Sequence, residues 1–399
     1  TSKASIFGGL LALTVASCAR PPATETTTTT AVSNSTTTAP VATGNETIDF
    51  PDAVAIRVVE GADGSTWAVW ADGTELFVAE VDPGSGSAGP PIVVSGPEGV
   101  INHPLERPAM AISAEGEIFV AWISAAGSVW LANLAEGGIV SSEAISGEVR
   151  NETALVQMIV TNEGKPVISW LEDSTLSVAA GEPLVEHEMI DDLTCDCCHP
   201  VPIQIGDGVG IGYRDLEHAS DGVVRDITFI NGSSAGEGFA APVVVADEPW
   251  YLDACPLSGP TLAASGDDLY ISWMDARQAL HREQDSSSIW FDSSRDGGRT
   301  FGTDLRLTSD EAAYRTPAMA VDHQERIHLV WERRTPEEAT LEYVVSSDRG
   351  ETFAPAQVLV EGDEASGVPR EAALIAVGER MMVSWADGEG GHIGLWPLG

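Results

Sequence analysis

Lysine is almost missing from this chain of 399 residues; Lys3 and Lys165 are its only two. Basic residues total 20 against 61 acidic ones, a formal net charge of −41. That field repels phosphate backbones and anionic headgroups, which excludes a nucleic-acid binder or a protein held to a bilayer by charge. The ordinary reading of the excess is a solvated acidic skin; a surface shaped for a cationic partner is the other. Also missing are a phosphate-cradling glycine loop, an HExxH pair and an EF-hand loop. Beyond Ala16 no apolar run is long enough to cross a bilayer as a helix. Apolar residues still make up 43% of the chain, enough for a large core.

The first residues read as a processing segment. Lys3 precedes an apolar run, Ile6 to Ala16, which ends in Val15-Ala16-Ser17-Cys18 and resembles the bacterial lipobox. The resemblance implies a signal peptide over residues 1–17, cleavage before Cys18, and lipid on its sulfur, with a soluble secreted form as the alternative. Residues 18–46, dominated by Thr, Ser, Ala and Pro, cannot bury enough apolar surface to order and are expected to be a disordered tether. Its flexible reach is on the order of 30 Å. The expected location is the bacterial cell envelope, extracytoplasmic and lipid-anchored.

The body repeats itself. Two apolar-alternating strands, joined by a Gly or charged turn and closed by an aromatic, recur roughly every 50 residues. The closing residues are Trp70, Trp122, Trp170, Tyr213, Trp273, Trp331 and Trp385. A third alternating segment follows several copies, as in Ser288–Ser293 and Leu341–Ser346, and then a fourth, as in Asp304–Thr308 and Ala356–Val360. Four antiparallel strands per repeat predict one all-β propeller over residues 47–399 with seven blades; six is the alternative if the first copy is not a blade. The last copy is one strand short, and Thr47–Pro51 is expected to supply it and close the ring.

Two stretches carry a family resemblance. Ser294–Phe301 and Ser346–Phe353 both fit S-x-D-x-G-x-T-F, through Ser294, Asp296, Gly298, Thr300 and Phe301 and through Ser346, Asp348, Gly350, Thr352 and Phe353. The pattern resembles the Asp box (BNR repeat) of sialidase-like β-propellers. Its chemistry is structural: Ser and Asp bond the turn backbone, Gly permits φ > 0, and the aromatic packs beneath. The family places these boxes away from its catalytic face.

Four cysteines remain after Cys18. Cys195, Cys197 and Cys198 lie beside His199, and Cys255 lies before the next blade. Both segments lead into innermost strands, of blades four and five, so they are expected on one rim. Tyr213, Arg214, Asp215, Asp275 and Arg277, which leave the second strands, should join them, with Arg225 and Asp226 nearby. In an oxidising compartment the plain reading is disulfides. Two complete bridges would need one inside Cys195–Cys198, where a vicinal Cys197–Cys198 bond is strained and Cys195–Cys197 nearly so. A metal centre, copper or zinc on thiolates and an imidazole, is the second reading; redox or nucleophilic thiol chemistry is the third. The wider set resembles a group of exported bacterial propellers and implies no particular activity: the cysteines, Tyr213-Arg214-Asp215, Val224-Arg225-Asp226-Ile227, Trp250, Cys255-Pro256 and Gly259-Pro260. The Arg–Asp pairs also suit plain loop-to-loop contacts.

A sialidase needs arginines gripping a carboxylate and a Tyr nucleophile. Arg107, Arg315 and Arg370 stand at mouths of innermost strands and are the candidate clamp. The family's Phe/Tyr-Arg-Ile-Pro motif is missing, and no tyrosine falls in the final blade. The leading expectation is therefore a non-hydrolytic binding protein, monomeric, with a Cys/His metal or disulfide centre and a glycan or envelope protein as partner. An exo-glycosidase acting on acidic sugars is the first alternative and a plain interaction scaffold the second.

Overall fold

The structure, a computed structural model, describes residues 46–101, 103, 105–135, 138–148, 154–181, 187–233, 238–278, 286–308, 312–362 and 367–398. Cys18, the signal segment and nearly all of the tether therefore lie outside the described residues. Ala42–Gly399 makes one compact unit. No helix occurs among the described residues, and the strands form a β-propeller of seven four-stranded blades.

Every blade runs antiparallel from the axis outward. Blade 1 holds Ala55–Glu60, Thr66–Asp72, Glu75–Asp82 and Ile92–Val93, with Ser87–Ala88 added on the end of its third strand. Blade 2 holds Ala109–Ile112, Ile118–Ile123, Ser128–Ala135 and Gly138–Glu148; blade 3 holds Gln157–Val160, Pro166–Glu172, Thr175–Ala180 and Glu188–Asp191. Blade 4 holds Val201–Ile205, Gly208–Arg214, Ile227–Gly232 and Val243–Val244. A small hairpin, Glu217–Ala219 with Gly222–Val224, is inserted before its third strand. Blade 5 holds Thr261–Ser265, Asp268–Asp275, Ser288–Ser294 and Leu305–Arg306; blade 6 holds Ala313–Val321, Ile327–Arg334, Ala339–Ser346 and Gln357–Gly362. Blade 7 holds Arg370–Val377, Arg380–Ala386 and Gly390–Pro397. Its outermost strand is Glu46–Pro51, in register from Glu46 opposite Leu395 to Pro51 opposite Gly390. The innermost strands of blades 1 and 7 pack together, so the ring is closed.

The core is distributed between blades. Seven apolar clusters fill the seven junctions. Each repeat-closing aromatic sits on a second strand and packs toward the preceding blade, as Trp170 does with Ala109, Phe119 and Ala121 of blade 2. Trp122, Trp170, Trp273 and Trp331 are at most 2% exposed. Burying about 200 Å² per indole is worth on the order of 5 kcal/mol, which explains why a Trp recurs where two sheets face each other.

Both S-x-D-x-G-x-T-F segments are tight turns between third and fourth strands. Ser294 Oγ donates to Asp296 Oδ1 at 2.7 Å and accepts from the Gly298 amide at 2.8 Å. Asp296 in turn accepts from the Thr300 amide at 2.9 Å and the Thr300 hydroxyl at 2.7 Å. These bonds, the Ser294 hydroxyl first, hold the Asp296 carboxyl down at about 2. Gly298 has φ 80°, and a Cβ there would lie 2.2 Å from the Phe229 ring. Phe301 meets that same ring edge-on at 6.0 Å. Ser346, Asp348, Gly350, Thr352 and Phe353 repeat the arrangement one blade later, against Phe291.

Candidate functional site

Strand alternation divides the loops between two faces. Turns between third and fourth strands, including both S-x-D-x-G-x-T-F turns, lie on one face. Loops that enter first strands or leave second strands converge on the other. On that second face a cavity of about 200 Å³ opens at the axis, and all seven blades line it. Its polar lining is Arg57 from blade 1, Arg107 before blade 2, Gln157 from blade 3, His199 before blade 4, Thr261 from blade 5 and Thr316 from blade 6.

Two guanidiniums share this space with one close carboxylate. Arg107 Nη2 lies 3.1 Å from Glu371 Oε2. Arg57 Nη1 donates to Gln157 Oε1 at 2.7 Å, and among the described residues Arg57 forms no ion pair with a carboxylate. Burial, then the charge of Arg107, holds the Arg57 guanidinium down at about 9, so it is still cationic at neutral pH. Arg57 Nε, Arg107 Nε and Gln157 Nε2 are buried donors with no hydrogen-bond partner among the described residues. Gln157 is 6% exposed. His199 Nε2 donates to the Leu105 carbonyl at 2.9 Å. Its imidazole is held neutral by burial first and then by Arg107 and Arg57. Among the described residues no tyrosine lines the cavity.

The other two clamp candidates are placed elsewhere. Arg315 lines neither this cavity nor the second one. Arg370 lines the second, of about 260 Å³ over blade 7, with Asp52, Glu371, Asp387 and Glu389. The cause is a break in strand alternation. Pairing shifts register between Arg315 and Ala318 and again between Arg370 and Ala373, and the next residues, Thr316 and Glu371, have φ 40° and φ 55°. A bulge re-aims the following side chain, so Thr316 lines the axis and Glu371 reaches Arg107. Carboxylates in the neighbouring blades catch the amides freed by these kinks. Glu332 Oε1 accepts from the Glu371 amide at 2.8 Å; at the entry to blade 3, where Leu155 also has positive φ, Glu106 Oε1 accepts from the Leu155 amide at 2.7 Å. Arg57, Gln157, Glu106 and Glu332 were not singled out from the sequence. The available signal was a charged or amide side chain inside an apolar innermost strand, AIRVVE for Arg57 and QMIV for Gln157.

The cysteines lie on the same face, away from the axis. Cys197 and Cys255 form a disulfide that joins the entry loops of blades 4 and 5, with Cα atoms 6.3 Å apart. Cys195 and Cys198 remain thiols, both buried, with sulfurs 3.1 Å apart. Cys195 Sγ also lies 3.5 Å from Cys197 Sγ and accepts from Arg225 Nη1 at 3.0 Å. The Cys195 thiol is pulled down to about 6, first by its hydrogen bond with Cys198 and then, against burial, by Arg214 and Arg225. Burial pushes the Cys198 thiol up. Cys195, Cys197 and Cys198 hold their sulfurs close enough to bind a metal ion, as do Asp196, Cys197 and Cys255 with their ligand atoms. His199 belongs to neither group and faces the axial cavity instead.

The charged rim residues join loops. Arg214, 1% exposed, donates to the carbonyls of Ser258 at 3.1 Å, Arg225 at 2.8 Å and Met274 at 2.7 Å, and lies over Trp250. Arg225 Nε donates to the Leu252 carbonyl, and Asp226 accepts from the Trp250 amide. Tyr213 donates to Asp191 at 2.8 Å. Burial, with Asp191 adding, raises the Asp215 carboxyl to about 6. Asp275 accepts from Trp273 Nε1 at 2.9 Å, while Arg277 pairs with Asp304 at 2.6 Å and stacks on Trp290 at 4.0 Å. These groups fix the loops that carry the cysteines.

No family model matches the chain, and no curated protein does. Solved structures do. A PL25 ulvan lyase bound to -[GlcA(1-4)Rha3S]- is similar at TM-score 0.55 and 12% identity, over 88% of this chain and 96% of that one. The extracellular domains 1–2 of Drosophila Semaphorin 1a are similar at TM-score 0.56 and 10% identity, over 90% and 89%. A sialidase, Hadza microbial Hz136, matches at TM-score 0.49 and 13% identity, over 87% of this chain and 66% of that one. At such identities the likeness establishes the propeller fold alone.

Proposed function

We propose that this chain is an extracytoplasmic binding propeller that seats an acidic glycan unit, through its carboxylate, in the axial cavity and does not cleave it. The observation that carries the reading is the pair Arg57 and Arg107, with buried donors left unsatisfied, inside a protein of net charge −41. Arg107 pairs with Glu371 while Arg57 is bonded only to the neutral Gln157 side chain, so the two guanidiniums favour an incoming anion, and a planar carboxylate suits them. Binding without turnover fits a cavity with no tyrosine among its described lining residues and with a neutral, hydrogen-bonded His199. The ulvan lyase of similar fold is bound to a glucuronate-containing saccharide, which makes uronates the first ligands to try. In the same reading the chain belongs to the BNR/Asp-box lipoproteins and is tethered through Cys18. Opening the Cys197–Cys255 bond would convert the sulfur group into a thiolate site suited to Cu(I) or Zn(II). Metal analysis with a thiol count reads that directly.

Calorimetric titration with a glucuronate-containing oligosaccharide tests the axial seat. Binding should weaken at least tenfold in Arg57→Gln and in Arg107→Gln, a loss of about 1.4 kcal/mol or more, and a neutral oligosaccharide should bind poorly. Equal affinity for the neutral sugar would overturn the seat. Release of new sugar ends from the oligosaccharide or from a sialoside would replace binding with catalysis.

A further inference from the structure

The four cysteines of blades 4 and 5 are arranged as a chain of sulfurs rather than as a staple plus two spectators. Cys255 is exposed, Cys197 is half-buried, and Cys195 and Cys198 are buried. Cys195 Sγ stands 3.5 Å from the Cys197 end of the disulfide and 3.1 Å from Cys198 Sγ. Cys195 is thus within van der Waals reach of both possible partners, and the Arg225 guanidinium bonded to it at 3.0 Å favours its thiolate over its thiol.

We propose that these residues form an intramolecular thiol–disulfide relay, which moves one disulfide between Cys197–Cys255 at the surface and Cys195–Cys198 in the interior. In the first step the Cys195 thiolate attacks Cys197 Sγ. A Cys195–Cys197 bond forms, the Cys197–Cys255 bond breaks, and Cys255 leaves as a thiolate. In the second step Cys198 attacks Cys195 Sγ, the Cys195–Cys198 bond forms, and Cys197 leaves as the thiolate. The proton of Cys198 passes to the thiolate of Cys197 or Cys255. Reactants and products each hold one disulfide and two reduced sulfurs, so no outside oxidant or reductant is consumed. The short-span Cys195–Cys197 bond is a passing intermediate, consistent with its poor geometry as a resting bridge. The outcome is a pair of thiols at the surface beside Asp196, a ligand set for a soft or borderline metal ion. The buried pair is therefore a reserve that exposes reactive sulfur without unfolding the loops. The relay depends on sulfur placement and on the Arg225 contact to Cys195, and stands apart from the axial cavity.

Trapping under native conditions tests it. The full chain, brought with dithiothreitol to two thiols among Cys195, Cys197, Cys198 and Cys255 and with Cys18 scored separately, is exposed while folded to a small maleimide, quenched in acid, unfolded, labelled with a second reagent, and mapped by peptide mass spectrometry. The relay predicts maleimide on Cys255 and Cys197 and a Cys195–Cys198 bridge in the trapped product. In Cys198→Ser it predicts maleimide on Cys255 with Cys195 linked to Cys197, because the exchange stops at the first step. In Cys195→Ser it predicts loss of native labelling, with Cys198 reached only after unfolding. Wild-type protein in which only Cys195 and Cys198 take label, and only after unfolding, would overturn the proposal. So would native labelling of Cys255 that survives in Cys195→Ser. The wild-type result decides the matter if either variant fails to fold.

Discussion

Glu106 is 4% exposed, and burial raises its carboxyl to about 7 although it accepts amides from blade 3. The folded state therefore keeps a proton that the unfolded chain loses near 4.5, and this group's contribution to stability falls as pH rises between those values. His199 acts in the opposite sense. Held below its usual value, it favours the fold increasingly as pH rises toward 6.5. Subtraction separates them. Between about pH 5 and pH 8 the wild type should lose roughly 3 kcal/mol relative to Glu106→Gln in urea unfolding; parallel profiles would refute the assignment. At this scale the sequence is partly legible. The cysteines stand out because three of them fall within four residues. Arg57 is hidden because one arginine in an alternating strand looks like an outward-facing one until the register is known.

Among the elements, Glu46–Pro51 has the largest consequence for its size. Phe50, 7% exposed, packs on Trp70 at 4.9 Å, and the strand covers the edge of Gly390–Pro397. Phe50→Ala should cost about 3 kcal/mol in chemical denaturation. Deletion of residues 46–51 should leave an unpaired edge that associates with increasing protein concentration in light scattering; a monodisperse, equally stable product would contradict that role. This strand was readable, since the seventh copy was visibly one strand short. The bulges after Arg315 and Arg370 were not. Nothing in YRTPAM or VPREAA distinguishes a straight strand from one that kinks at Thr316 or Glu371, because the kink is settled by the acceptors that neighbouring blades offer, Ser258 and Glu332. A one-residue slip sends a side chain to the other face of the sheet, and that separates a candidate clamp from the residues that line the axis.

For the whole molecule, the charge of −41 is a cost carried across a closed ring with few basic partners. Self-repulsion of this size weakens as salt shortens the screening length from about 30 Å to about 8 Å. The thermal midpoint should therefore climb with sodium chloride through that range in scanning calorimetry, and a falling midpoint would mean that ion pairs outweigh repulsion. Architecture was the most legible level, because a blade must bury a large aromatic against its neighbour and that need repeats along the chain. The ligand was the least legible, since it depends on side chains from seven blades meeting at one point. The box turns, finally, occupy the side of the disc opposite the axial mouth. That side offers a built-in handle: a dye, a tag or a solid support attached near Thr300 or Thr352 would leave the opening and its sulfurs unobstructed.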